Sequence, residues 1–187
     1  MNVKVKDLLI DDAVGEQLEG QILYENQKQI RSDLEYLAAP TVIATDLKVA
    51  ENIGSVLRLA DAAGCSRVIF LSDVEDQDLR KIKRTARSSD SFLVWDKQTY
   101  DEFFANEIQQ LEPLIAVEIT SKSTNIFEGH LPQSCTLVIG NERHGIPEAI
   151  LQRCSRAVHI PMYGVNGSMN VTHALAIALF EWRRQHP

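Results

Sequence analysis

Cysteine is scarce: three in 187 residues, Cys65, Cys135 and Cys154. An odd number without C-x-x-C spacing excludes a disulfide framework and a thiolate zinc site. The five histidines are scattered and give no ligand pair at helical spacing, so no metal is expected. No run is long and apolar enough to span a bilayer, and the opening MNVKVKDLLIDD lacks the apolar stretch and cleavage site of a secretory signal. These absences predict a reduced, cytoplasmic protein with no membrane partner. Positive charge is also short, with 19 Lys and Arg against 26 Asp and Glu for a net charge of −7. That balance counts against a uniformly basic, nucleic-acid-binding surface. Neither a P-loop closed by Gly-Lys-Ser/Thr nor a GxGxxG dinucleotide fingerprint is present.

What is present is ordinary globular material, 44% hydrophobic and 24% charged, long enough for one domain with a good core. The charge is uneven. Residues 10–39 hold seven acids (Asp11, Asp12, Glu16, Glu19, Glu25, Asp33, Glu35) against Lys28 and Arg31, whereas residues 80–87 read RKIKRTAR, five bases and no acid. A basic patch of that kind can meet phosphates on a globally acidic chain.

Periodicity predicts an amphipathic helix over 14–37, closed by Pro40, and then an alternation of strands and helices. Strands are expected at 41–47, 67–72, 92–95, 114–119, 135–140 and 157–162. Helices are expected at 52–63, 78–88, 100–111 and 147–154, with a last one beginning near Ser168 or Asn170. Short Val/Ile/Leu-rich strands between helices indicate an α/β fold, a mostly parallel sheet with helices on both faces. Residues 1–38 form an N-terminal helical extension, and residues 39–187 form the domain.

Three strand-to-helix junctions carry chemistry. In ENIGSVLRLADAAG (51–64), Gly54 permits close approach of a ligand or chain, and Arg58, four residues on, shares its helical face. A helix N-terminus and a guanidinium can thus point at one anion. In LVIGNERHGIPEAI (137–150), a buried strand ends in Gly140 and releases Asn141, Glu142, Arg143 and His144, polar residues at the edge where open α/β sheets bind ligands. Glu142 is placed to pair with Arg58 across that edge. In 159–184, the strand end HIPM leads through a Gly/Asn-rich turn to a cap, Ser168 or Asn170, on an apolar helix.

Taken in order, these junctions resemble the SpoU (TrmH-like) family of RNA ribose 2′-O-methyltransferases. The residues that carry the likeness are Asn52, Gly54, Arg58 and Gly64; Gly140, Asn141, Glu142 and Gly145; Ile160, Pro161, Met162 and Gly164; and Ser168, Met169, Asn170 and Val171. They span about residues 40–185. The resemblance implies a C-terminal trefoil knot, S-adenosylmethionine held by the knot loops, and a homodimer. It places Ile139, Gly140, Asn141, Ile160, Met162, Ser168 and Met169 around the cofactor. It places Arg58, Asn52, Glu142, Ser168 and Asn170 on the catalytic face. Thr172 stands where the family often has serine, a change that keeps the hydroxyl, and SSD at 88–90 replaces a small Gly-Ala pair.

The expected reaction is methyl transfer to a ribose 2′-hydroxyl in transfer or ribosomal RNA, with Arg80, Lys81, Lys83, Arg84 and Arg87 gripping RNA phosphates. Arginine is too strong a base to lose its proton in a protein. Arg58 is therefore expected to hold a phosphate and to stabilise charge on the attacking oxygen. Two other classes stay open: an RNA-binding protein of the same fold without turnover, and a small-molecule α/β enzyme with another nucleotide cofactor. The intact Arg58, Glu142 and Asn170 weigh against the first. The missing dinucleotide fingerprint and the basic stretch weigh against the second.

Overall fold

The computed structural model describes residues 19–33, 39–74, 79–87, 89–111 and 113–187. The chain divides between Leu37 and Ala38. Of the first unit the described part is helix α1 (Gly20–Asp33), with Ile22, Leu23, Tyr24 and Ile30 all exposed. Residues 14–18 and 34–37 of the helix expected over 14–37 lie outside the described residues, as do Asp11 and Asp12.

The second unit runs β1 (Thr41–Thr45), α2 (Ala50–Ala62), β2 (Arg67–Leu71), α3 (Leu79–Ala86), α4 (Ser89–Phe92), β3 (Val94–Gln98), α5 (Tyr100–Asn106), β4 (Leu114–Val117), β5 (Thr124–Asn125), β6 (Thr136–Ile139), α6 (Glu148–Leu151), β7 (Arg156–His159) and α7 (Val171–Gln185). The strands form one sheet in the order β3-β2-β1-β6-β4-β7-β5, and every pairing is parallel. Among the described residues no helix is long and apolar enough to cross a membrane.

Alternation along each strand sends neighbouring side chains to opposite faces. Val42, Val68, Leu137, Ile115 and Val158 pack with α2, α3 and α7, while Ile43, Ile69, Val138, Leu114 and Ala116 pack with α5 and α6. Both faces are covered, so the central strands β1, β2, β4 and β6 are buried almost throughout, as the sequence predicts.

Several boundaries move: the strand expected at 114–119 ends at Val117, that expected at 157–162 ends at His159, and the helix expected at 147–154 covers Glu148–Leu151. The strand expected at 92–95 runs from Val94 to Gln98, because Phe92 closes α4 instead. Its polar half is held by Arg67, which bonds Asp96 at 2.8 Å and Glu107 at 2.7 and 3.0 Å, ties that no local pattern announces. The helix expected to Leu111 stops at Asn106 and gives way to a 3₁₀ turn, Ile108–Gln110. Its start is fixed by a capping box between Thr99 and Glu102.

The connection from β4 to β6 carries β5 out beyond β7 and returns past α7. Trp182 Nε1 donates to the Pro132 carbonyl at 2.9 Å and Gln185 Nε2 to the Gly129 carbonyl at 3.1 Å. The Leu131 N–H donates to Gln185 Oε1 at 2.7 Å, and His186 Nε2 donates to the Leu131 carbonyl at 2.9 Å. The C-terminal helix is therefore clasped by the 129–132 segment.

Candidate functional site

In a parallel sheet all strand C-termini share one edge. Here the loops after β4, β6 and β7 enclose a cavity of about 260 Å³. Its walls are Val117, Glu118 and Ile119 from the end of β4 and its loop; Gly140, Asn141, Glu142, Arg143 and Gly145 from the turn after β6; and His159, Ile160, Met162, Ser168 and Met169 from β7 and its loop. Val171 and Ala174 of α7 complete the lining.

The turn after β6 is held by two glycines and by the side chains of Asn141, Asp46 and Tyr100. Asn141 and Gly145 exchange backbone hydrogen bonds of 2.9 and 3.0 Å across it. Gly145 has φ +66°, and a β-carbon on Gly140 would fall 2.6 Å from the Gly145 Cα. Both positions therefore need glycine. Asn141 Oδ1 accepts from the Arg143 and His144 N–H groups at 2.8 and 3.3 Å, and Asn141 Nδ2 donates to the Asp46 carbonyl at 2.6 Å. Tyr100 Oη donates in turn to Asp46 Oδ2 at 2.8 Å, and burial, with Asp46 beside it, pushes the phenol well above its ordinary range. The turn is thus anchored through β1 to α5.

Glu142 leaves this turn towards α2 and accepts a hydrogen bond from Asn52 Nδ2. The expected partner of Glu142 was Arg58; among the described residues no ion pair joins them, and Asn52 takes that place because it stands in the first turn of α2, nearer the sheet edge. Arg58 lies farther along α2 and is exposed. The chain that approaches Gly54 is α3: a β-carbon there would lie 2.8 Å from the Ile82 carbonyl oxygen and 2.9 Å from the Ala86 N. Ile82 and Ala86 are buried, whereas Arg80, Lys81, Lys83, Arg84 and Arg87 are exposed.

Of the residues expected around a cofactor, Gly140, Asn141, Ile160, Met162, Ser168 and Met169 line the cavity. Ile139 is buried inside β6 behind that wall, its carbonyl accepting from Thr45 Oγ1 at 3.2 Å. Asn170 is the cap of α7: its Oδ1 accepts from the Thr172 N–H and hydroxyl at 2.8 and 2.6 Å. Ser168, the other candidate cap, lines the cavity instead. Asn52, Arg58 and Asn170 lie outside the lining.

Glu118 and His159 also line the cavity and carry no sequence expectation as site residues, and Arg143 carries none beyond its place among the polar residues after β6. A charged residue directly after the apolar run of β4 was a signal of the same kind as Glu142. His159 Nδ1 meets Ser123 Oγ at 3.0 Å, a contact that depends on β5, which carries no pattern of its own.

Residues 39–180 match the model of the SpoU rRNA Methylase family. Over 162 residues the chain is 28% identical to the 23S rRNA (guanosine-2′-O-)-methyltransferase RlmB of Pasteurella multocida (strain Pm70), covering 86% of this chain and 66% of that protein. Over 148 residues it is 26% identical to the tRNA (guanosine(18)-2′-O)-methyltransferase TARBP1 of Mus musculus, covering 77% of this chain and 9% of that protein. The chain thus spans less than two thirds of either relative. Among solved structures, the SpoU methyltransferase AviRb from Streptomyces viridochromogenes in complex with the cofactor AdoMet superposes with a TM-score of 0.68 at 25% identity, over 80% of this chain and 58% of that one.

Proposed function

The chain belongs to the SpoU rRNA Methylase family, and on that premise we propose that it methylates a ribose 2′-hydroxyl in structured RNA, transfer or ribosomal, with S-adenosylmethionine as donor. The observation that carries the reading is the placing of one cavity and one oriented Asn52–Glu142 pair at the same sheet edge. The names of the relatives and the cofactor complex of AviRb support it.

The lining fits the cofactor. Val117, Ile160, Met162, Val171 and Ala174 offer an apolar wall for a purine, and the backbone at Gly140 and Asn141 with the Ser168 hydroxyl offers polar atoms opposite. When bound, S-adenosylmethionine supplies an activated methyl group. The protein holds the acceptor nucleotide in line with it, and such positioning contributes much of the rate in reactions that join two bound reactants. Glu142 orients Asn52, and Asn170 fixes the start of α7 beside the cavity. The Arg58 guanidinium holds an RNA phosphate and stabilises negative charge on the attacking oxygen. The basic side of α3 supplies further phosphate contacts.

Three finer features belong to the same proposal. Residues 39–187 are the methyltransferase domain and residues 1–38 an N-terminal helical extension. The C-terminal chain forms a trefoil knot, a reading supported by the clasp of the 129–132 segment on α7. The protein is a homodimer, supported by Phe180, a large apolar side chain 51% exposed on α7, whose Leu175, Ala178, Leu179 and Trp182 are buried.

The test is a thermal-shift titration beside a methylation map. S-adenosylhomocysteine should raise Tm by mass action on the native state, and ribose methylation at one RNA position should vanish from cells that lack this protein. A shift with NAD or ATP and none with S-adenosylhomocysteine would overturn the proposal.

A further inference from the structure

We propose that Glu118 reads the ribose hydroxyls of the bound cofactor, an inference that rests on the S-adenosylmethionine reading above. Glu118 directly follows β4 and lines the cavity, only partly exposed. Its carboxylate bridges two segments: Oε1 accepts from the Ile119 N–H at 2.9 Å and Oε2 from the Ile146 N–H at 3.2 Å. The turn is shaped around this side chain, since a β-carbon on Gly145 would collide with the carboxylate. Glu118 is therefore held in one place before any ligand arrives, and such preorganisation lowers the cost of binding.

An ionised carboxylate has about four acceptor sites. The two backbone donors take two, which leaves one on each oxygen. A vicinal diol presents two adjacent O–H donors and matches that pair. Acidic residues read nucleoside ribose in this way in other α/β folds. The amino-acid end of the cofactor is the competing match, through its ammonium group. That end carries a carboxylate too, and the residues beside Glu118 (Val117, Ile119, Ile146) offer it no cation. Arg143, on the β6 turn, is the one lysine or arginine that lines the cavity among the described residues, so the charged end is drawn there and the nucleoside is left to Glu118.

The experiment is calorimetric titration of the full chain and of Glu118→Gln with S-adenosylhomocysteine and with 5′-methylthioadenosine, which keeps the ribose and lacks the amino acid. Glu118→Gln should weaken both by the same factor, about ten- to a hundredfold for a lost charged hydrogen bond. Wild type should also prefer S-adenosylhomocysteine over its 2′-deoxy analogue by about tenfold or more, a comparison that stands even where the variant does not fold. Loss confined to S-adenosylhomocysteine would assign Glu118 to the ammonium and overturn the ribose assignment, as would equal binding of the deoxy analogue. Wild type that binds neither nucleoside would overturn the cofactor reading, and Glu118's role with it.

Discussion

Gly54 and Thr85 meet where α2 and α3 touch: a β-carbon on Gly54 would fall 2.5 Å from the Thr85 Cβ. The glycine thus serves the seating of the basic helix. Gly54→Ala should destabilise the domain by about 1–3 kcal/mol, the usual cost of overpacking, and weaken RNA binding more than S-adenosylhomocysteine binding. Urea midpoints and the two affinities measure this. An unchanged midpoint would mean that α3 moves aside at no cost.

Arg58 is exposed one turn beyond that contact. Arg58→Ala should leave fold and cofactor affinity nearly intact while single-turnover methylation falls by about 10²–10³, the usual loss of a well-placed charged donor. Arg58→Lys should rescue little, because an ammonium cannot copy the planar two-pronged contact. Normal single-turnover rates in the alanine variant would remove Arg58 from the mechanism.

The exposed bases of α3 make a salt-dependence prediction. RNA affinity should fall steeply as salt rises, and the double variant Lys83→Ala with Arg84→Ala should flatten the slope by about one unit per lost phosphate contact. Filter binding across a salt series reads this directly. An unchanged slope would leave α3 as a solvated surface.

A pH dependence follows from Glu107. Its carboxyl is held below the usual carboxylate range by its hydrogen bonds from Arg67, with a further one from Gln98 at 2.9 Å. A lowered folded value contributes stability that is fully present above the unfolded value of about 4.3. That stability is lost as pH falls through the folded value. Glu107→Gln should therefore be less stable than wild type at neutral pH, and the gap should close in acid. A gap that stays constant down the pH series would show that the ionised carboxylate is not what holds the sheet edge.

The sequence by itself determined the layered plan and the loops that bear the site. Ile43, Ile69 and Val138 alternate with Val42, Val68 and Leu137 because a strand has period two, and Ile53, Val56, Leu57 and Ala60 recur because a helix has period 3.6. Both periods are local and survive in the one-dimensional string. Gly140, Asn141 and Asn170 were legible for the same reason, since a turn or a cap is chosen within a few residues. Partnership was not. Asn52 meets Glu142 across 90 residues, Gly54 is glycine because of α3, and Glu118 faces the cavity because β4 lies beside β6. The two-residue β5 exists only because β7 offers it an edge. Strand order decides each of these contacts, and strand order is set by which apolar faces bury together, a sum over the whole domain that no short stretch of residues contains.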